Sequence, residues 1–250
     1  MNTEIIILAA GKGKRMGSDE PKALTLLRGK PFLSHILETV SKLGLSKKPV
    51  IVVGHKKEQI FEAFGYDHNY AHQEEQLGTG HAVMSAKDKV GEDCDTVIIL
   101  STDQPHVSKE TLERIINTHK EKKPVITLGT VLLPDFEDWR TGLRHFGRIV
   151  RDDEGEVLMN IEYKDATNSE KLITEVNPAL YAFDAKWLWE NIDKLKNENS
   201  QGEYYLTDLI RLARENGEKV EGVQVFNIIE GLQPNTKEEL AALERIISKN

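Results

Sequence analysis

The chain has 250 residues, 39% of them hydrophobic, which is enough to bury a substantial core and argues against disorder. A formal net charge of −8 speaks against a nucleic-acid binder, which needs a broad basic face, so the expected partners are small molecules. Cys94 is the only cysteine and the apolar runs are of strand length, which excludes an intramolecular disulfide, a thiolate metal cluster and a membrane-spanning helix; with no signal-peptide pattern at the start, a reducing, cytoplasmic setting is expected.

In chain order, residues 4–8 read as a first strand, because three β-branched residues in a row suit a pleated sheet and the run is too short for a helix. A helix is expected near 31–43, a strand at 50–53, a helix near 56–64 and a short strand at "NYAHQ". Thr79 opens a helix over 79–90, "TVIIL" at 96–100 is a buried strand, Ser108 caps a helix over 108–120, and "PVITLGTVLL" is another strand. Strands separated by helices predict a doubly wound, mostly parallel α/β sheet of Rossmann type, with its ligand beyond the carboxyl ends of the strands. After residue 134 the rhythm changes. "FGRIVRD", "GEVLMNIEY" and "EVNPALYAF" have no helices between them and predict an antiparallel meander, followed by helices at 184–196 and 203–216. The last helix, at 236–249, puts Leu240, Leu243, Ile246 and Ile247 on one face, which packs on the body or, as the alternative, makes an oligomer contact.

The loop behind the first strand, "AAGKGKRMGSDEPKAL", carries Gly11, Gly13 and Gly17 among Lys12, Lys14, Arg15 and Lys22. Glycines let a ligand approach backbone N–H groups, and the cations have the sign that attracts phosphate. The spacing matches neither the dinucleotide fingerprint, since Met16 stands where a glycine is needed, nor a P-loop. It is therefore either an ordinary solvated turn or a phosphate cradle of another kind, and Pro21, which fixes the direction of Lys22, favours the cradle. Asp103 follows the 96–100 strand in "STDQP". Taken alone, Asp-x-Pro is a turn signal, but at the same sheet edge as the glycine loop a carboxylate facing phosphates makes sense if Mg²⁺ lies between them. His68 and His72 are four apart, yet "HNYAH" reads as loop and strand and gives no helical metal pair. Trp139, Trp187 and Trp189 read as core or interface anchors rather than a sugar-stacking site.

Taken together, "LAAGKGKRMGSDEPKAL", "EEQLGTGHAV", "FGRIV", "IEYKDAT", "EVN" and "QGEYYLTDLI", in that order, resemble the uridylyltransferase (pyrophosphorylase) domain of bacterial N-acetylglucosamine-1-phosphate uridylyltransferases, among the sugar nucleotidyltransferases. The resemblance covers nearly the whole chain. It implies a nucleotide-diphospho-sugar transferase fold, with residues 1–134 binding nucleotide, 135–235 binding sugar and 236–250 forming the C-terminal helix. It implies that Leu8, Ala9, Ala10, Gly11, Gln73, Gly78 and Thr79 contact the uridine part of UTP, with Thr102 beside them. Arg15 and Lys22 would bind phosphates and Asp103 would hold Mg²⁺. Gly147, Glu162 and Asn177 would meet the sugar, and Lys164 its phosphate. The implied reaction joins UTP and N-acetylglucosamine 1-phosphate into UDP-N-acetylglucosamine and pyrophosphate. A phosphate oxygen is already an anionic nucleophile, in keeping with a sequence that lacks Gly-x-Ser-x-Gly and His-Glu-x-x-His. In the bifunctional relatives a hexapeptide-repeat domain carries acetyltransferase activity; here the sequence stops at Asn250, and no such activity is expected.

Three departures from the family pattern bear on the sugar and the metal. Thr102 replaces a glycine before Asp103, Asn177-Pro178-Ala179 replaces Asn-Thr-Gly, and Gln233 stands where the family has an asparagine metal ligand. Gln233 is therefore the expected second metal ligand, with Asn235 competing for the role. The alternatives are transfer to another sugar 1-phosphate, a molybdopterin nucleotidyltransferase, or a binding module of this fold that does not turn over.

Overall fold

The structure is a computed structural model that describes residues 2–12 and 19–248. Its first strand, β1 (Thr3–Leu8), is buried on both faces, as a central strand of a parallel sheet must be. A short hairpin of β2 (Leu26–Leu27) and β3 (Lys30–Pro31) leads into α1 (Phe32–Ser41), then β4 (Val50–Val53), α2 (Lys57–Phe64), β5 (Asn69–His72) and α3 (Thr79–Met84). β6 (Thr96–Ser101), α4 (Lys109–Lys122) and β7 (Ile126–Leu132) complete the alternating part. β4, β5 and β6 all lie parallel to β1 or to a neighbour that does, in the order β5-β4-β1-β6. The carboxyl ends of β1 and β6 therefore meet on one edge, and the Thr102 amide and hydroxyl both donate to the Leu8 carbonyl at 3.1 Å.

The second half departs from a simple meander. β8 (Arg148–Arg151) and β9 (Val157–Ile161) pair antiparallel as expected. "EVNPALYAF", however, is two strands. β10 (Glu175–Val176) joins β7 to β8, whereas β11 (Tyr181–Asp184) inserts antiparallel between β6 and β7. The break lies at Asn177-Pro178-Ala179, where Ala179 takes a φ of 62° and the Asn177 side-chain oxygen accepts from the Ala179 amide at 2.9 Å. α5 (Ala185–Asn191) follows β11, capped by Asp184. α6 (Asp208–Glu215), β12 (Val220–Gln224) and α7 (Lys237–Ile247) close the chain. β12 runs parallel to β7, and its Gly222 leaves the space that the Arg151 side chain and Val157 occupy, since a β-carbon there would stand 3.0 Å from each.

Several helices differ from their expected bounds. Ser108 does cap α4, accepting from the Thr111 amide, but the helix that Thr79 was expected to open has Gly78 as its cap and ends at Met84. α6 starts only at Asp208, after a loop over 196–207. Two hydrophobic layers flank the sheet. One gathers Ile5, Ile7, Phe32, Leu33 and Ile51 under α1 and α4 and receives Leu243, with Leu240, Ile246 and Ile247 of α7 packed against it. The other holds Ile6, Val50, Val97, Phe183, Trp187 and Leu209. Trp187 is thus a core residue, and Trp139 and Trp189 are partly buried against the two layers. Among the described residues no helix is long and apolar enough to cross a membrane.

Candidate active site

Two adjoining cavities open at the carboxyl ends of β1 and β6. The first, of about 630 Å³, is lined by Leu8, Ala10, Gly11, Lys12, Lys22, Gln73, Gln76, Gly78, Thr79, Thr102 and Asp103. The second, of about 480 Å³, is lined by Gly147, Glu162, Asn177, Tyr181, Thr207 and Gln233 among others. Leu8, Thr79, Ser101, Asp103 and Asn235 line both. Of the expected nucleotide residues only Ala9 faces away: it is buried in the core, its amide bonded to Val52 O at 2.8 Å. Arg15, Gly13, Lys14 and Gly17 lie outside the described residues.

The wall of the first cavity follows from a glycine and a glutamine. Gly78 has a φ of 103°, and a β-carbon there would fall 2.7 Å from the Tyr204 carbonyl, so the chain can pass only without a side chain. Buried Gln73 donates to the Gly78 carbonyl at 3.0 Å and fixes that turn. The Thr79 hydroxyl accepts from the Leu206 amide at 3.2 Å, which ties α3 to the loop before α6.

Where the cavities meet, Lys22 is held on a short 3₁₀ turn behind Pro21 and is 9% exposed. Its Nζ lies 3.1 Å from Asp103 Oδ2 and 2.8 Å from Asn235 Oδ1. Burial pushes the Asp103 carboxyl up, but the Lys22 ammonium and the Ser101 hydroxyl outweigh it and hold the carboxyl below the usual carboxylate range. Among the described residues Asp103 Oδ1 is buried with no hydrogen-bond partner. An orphaned carboxylate oxygen beside two more hard oxygens that already share one cation is a donor set that suits a hard divalent ion. Among the described residues no three His, Cys, Asp or Glu side chains cluster to hold a metal.

Gln233 is not the residue that meets this cation. Its Nε2 donates to the Pro178 carbonyl at 2.8 Å, which commits the side chain to the loop between β10 and β11, and its backbone carbonyl accepts from Asn235 Nδ2 at 2.8 Å. With Pro234 between them, the chain turns so that Asn235 supplies the oxygen toward Lys22. Gln233, the expected metal ligand, lines the second cavity with Asp103, while Asn235, its competitor for the role, is the one of the two that meets Lys22.

In the second cavity Glu162 Oε1 accepts from Asn160 Nδ2 at 2.9 Å and from the Thr207 hydroxyl at 3.0 Å. Asn160 Oδ1 in turn accepts from Asn177 Nδ2, which also donates to the Tyr181 hydroxyl at 2.8 Å. Burial raises the Glu162 carboxyl above its usual range against those hydrogen bonds, with Asp165 and Asp208 adding to it. A β-carbon on Gly147 would stand 2.3 Å from Asn160 Oδ1 and push that carboxamide aside. Beneath it Arg148 is fully buried, its guanidinium donating to the carbonyls of Arg144, Phe146 and Lys171. Lys164 lines neither cavity; it pairs with Gln201, which lines the first.

Asn160, Tyr181 and Thr207 were not singled out from the sequence. Asn160, in β9, stands two residues before Glu162, which follows the strand's last residue, so period-two alternation carried one step past the strand puts both on one face, a signal that was present. His68 packs edge-on against Tyr70, and His72 lies 3.1 Å from Lys57 Nζ.

A strand-end cleft with a glycine-lined wall, a lysine–aspartate pair and an adjoining polar pocket defines a nucleotidyltransferase class of site. A sequence profile described as the MobA-like NTP transferase domain matches residues 5–205. The chain belongs to that family. It is 40% identical over 249 residues to the "Bifunctional protein GlmU" of Clostridioides difficile (strain 630), covering 100% of this chain and 52% of that protein. To the protein of the same name from Desulfotalea psychrophila it is 39% identical over 238 residues, 95% of this chain and 68% of the relative. The chain spans about half the length of most of these curated relatives. A UDP-glucose pyrophosphorylase complexed with UDP-glucose has the same fold, with a TM-score of 0.77 at 15% identity, covering 100% of this chain and 99% of that one. A 4-diphosphocytidyl-2C-methyl-D-erythritol synthase from Anaerococcus prevotii DSM 20548 follows with 0.67 at 17% identity, covering 99% and 98%.

Proposed function

We propose that the protein joins UTP and N-acetylglucosamine 1-phosphate, giving UDP-N-acetylglucosamine and pyrophosphate, with Mg²⁺ as cofactor and a cytoplasmic location. The observation that carries this reading is Lys22 Nζ between Asp103 and Asn235 at the junction of the two cavities. The first cavity takes the nucleoside triphosphate, with its base against the Gln73–Gly78 wall and its phosphates toward Gly11, Lys12 and Lys22. The second takes the sugar, with hydroxyl and amide groups toward Glu162, Asn177 and Thr207.

An oxygen of the sugar phosphate attacks the α-phosphorus of UTP. The new P–O bond forms as the bond from the α-phosphorus to the bridging oxygen breaks, and pyrophosphate leaves with that electron pair. No strong base is needed, because the attacking oxygen is already anionic. Lys22 offsets charge on the departing phosphates, and its buried setting makes that charge count for more than it would in water. Asp103 and Asn235 would hold Mg²⁺, which would supply further charge neutralisation at the phosphates. Lys164 is proposed to turn toward the sugar phosphate from its contact with Gln201, and Arg15 to bind the triphosphate.

The test is pyrophosphate release with UTP, Mg²⁺ and a panel of sugar 1-phosphates. Release that requires N-acetylglucosamine 1-phosphate supports the reading. Release with glucose 1-phosphate alone reassigns the sugar, and UTP binding without turnover points to a binding module.

A further inference from the structure

The loops that carry Asp103 and Asn235 come from chain segments more than a hundred residues apart, and they are buckled together directly behind the site. Gln104, next to Asp103, is fully buried, and its Nε2 donates to the backbone carbonyl of Glu230 at 2.8 Å. The Glu230 side chain, in a residue only 5% exposed, returns the contact: its Oε2 accepts from the Ser108 amide at 3.0 Å and from the Ser108 hydroxyl at 2.9 Å. Ser108 is the N-cap of the 14-residue α4, so the carboxylate also faces the positive end of that helix.

Little slack separates this buckle from Asn235. Glu230 belongs to a single 3₁₀ turn pressed against β7, where a β-carbon on Gly231 would stand 2.9 Å from Val131. Leu232 is buried, Gln233 is tied to Pro178, and the Asn235 amide donates to Glu239 Oε2 at 2.6 Å. On the other side Pro105 stiffens the chain just past Gln104. A shift of residue 230 relative to residues 104–108 therefore passes to the gap between the Asp103 and Asn235 oxygens. A hard divalent ion tolerates little error in that distance.

We propose that Glu230 and Gln104 are positioning residues that set the separation of the Asp103 and Asn235 oxygens, and through it the affinity of the site for a divalent cation. The inference rests on the nucleotidyltransferase reading above. Neither side chain lines the two cavities, so each acts through the loop it holds.

The experiment is a calorimetric titration of UTP into the full chain with and without Mn²⁺, with uridine as a metal-independent control. Wild-type protein is expected to bind UTP more tightly with the metal. In Glu230→Ala that metal-dependent gain falls roughly tenfold, the scale of one lost hydrogen bond to a charged group, while uridine affinity stays within about twofold. Glu230→Gln keeps an oxygen acceptor for Ser108 and retains most of the gain. If Glu230→Ala does not fold, Gln104→Leu carries the same test, because it removes one hydrogen bond and leaves the Glu230–Ser108 contact in place. Folded variants with the full wild-type gain overturn the positioning role. A wild-type chain that binds UTP with no metal-dependent gain overturns the reading of the site, and the inference with it.

Discussion

Lys22 and Asp103 face each other across the ends of two parallel strands, Nζ 3.1 Å from Oδ2, with the carboxylate's second oxygen buried and, among the described residues, unpartnered. The pair stands where the two cavities join, which is where a reacting phosphorus would sit. Replacing Lys22 with alanine removes the cation and no part of the apolar core. Turnover should fall about 10²- to 10³-fold, the usual cost of one preorganised charge-stabilising group, with the circular dichroism spectrum unchanged. A rate within a factor of three of wild type would exclude Lys22 from the phosphate site.

Asn235 and Gln233 separate by readout. Asn235→Ala should raise the Mg²⁺ concentration needed for half-maximal rate about tenfold, since it removes one of the oxygens that now meet Lys22. Gln233→Ala should instead raise KM for the sugar phosphate, because it frees the Pro178 carbonyl and the loop that carries Asn177. The opposite pattern, a metal effect from Gln233 alone, would restore Gln233 as the ligand.

Gly147→Ala tests the sugar pocket. The added methyl would displace the Asn160 carboxamide that connects Glu162 to Asn177. KM for the sugar phosphate should rise ten- to a hundredfold, with UTP binding measured by calorimetry unaffected. Equal losses for both substrates would show that the two cavities do not divide the substrates as proposed.

His119 gives a pH dependence of stability separate from catalysis. The residue is 1% exposed, its ring hydrogen-bonds to the Thr127 hydroxyl at 3.0 Å, and burial pushes it down to about 4. An unfolded histidine takes up its proton near 6.5, so the folded form, which stays neutral, is favoured above that pH. The contribution is lost as pH falls from about 6.5 toward about 4, at up to about 1.4 kcal/mol per pH unit. Urea denaturation at pH 7 and pH 5 should show a smaller stability difference for His119→Leu than for wild type. An equal difference would remove His119 from the acid response.

Sequence reading worked best where one residue pattern allowed one structure. The Ile5–Ile7 and Val50–Val53 runs suit only a strand buried on both faces, and the strand-end position of Asp103 follows from their parallel order. "EVNPALYAF" misled because its apolar alternation continues through a break imposed by the Asn177 side chain on the Ala179 backbone, a contact that composition does not signal. β12 was hidden by Gly222, which reads as a strand breaker but serves here to admit Arg151 and Val157. Asn235 was legible only as a competitor. Its place at Lys22 depends on Gln233 being drawn to Pro178, across 55 residues of sequence. The helix over 203–216 came out short for a similar reason: Asn199 accepts from the amides of Gln201 and Glu203 and keeps that stretch a loop along the first cavity.

The central claim is that the two cavities bring a nucleoside triphosphate and a sugar phosphate together over Lys22 and Asp103. Pyrophosphate release measured with UTP, N-acetylglucosamine 1-phosphate and Mg²⁺, alongside reactions lacking each component or containing excess chelator, tests it most directly. Release is expected only when all three are present, with UDP-N-acetylglucosamine formed in equal amount to pyrophosphate by chromatography. Release undiminished in excess chelator, or pyrophosphate formed from UTP without the sugar phosphate, would contradict it.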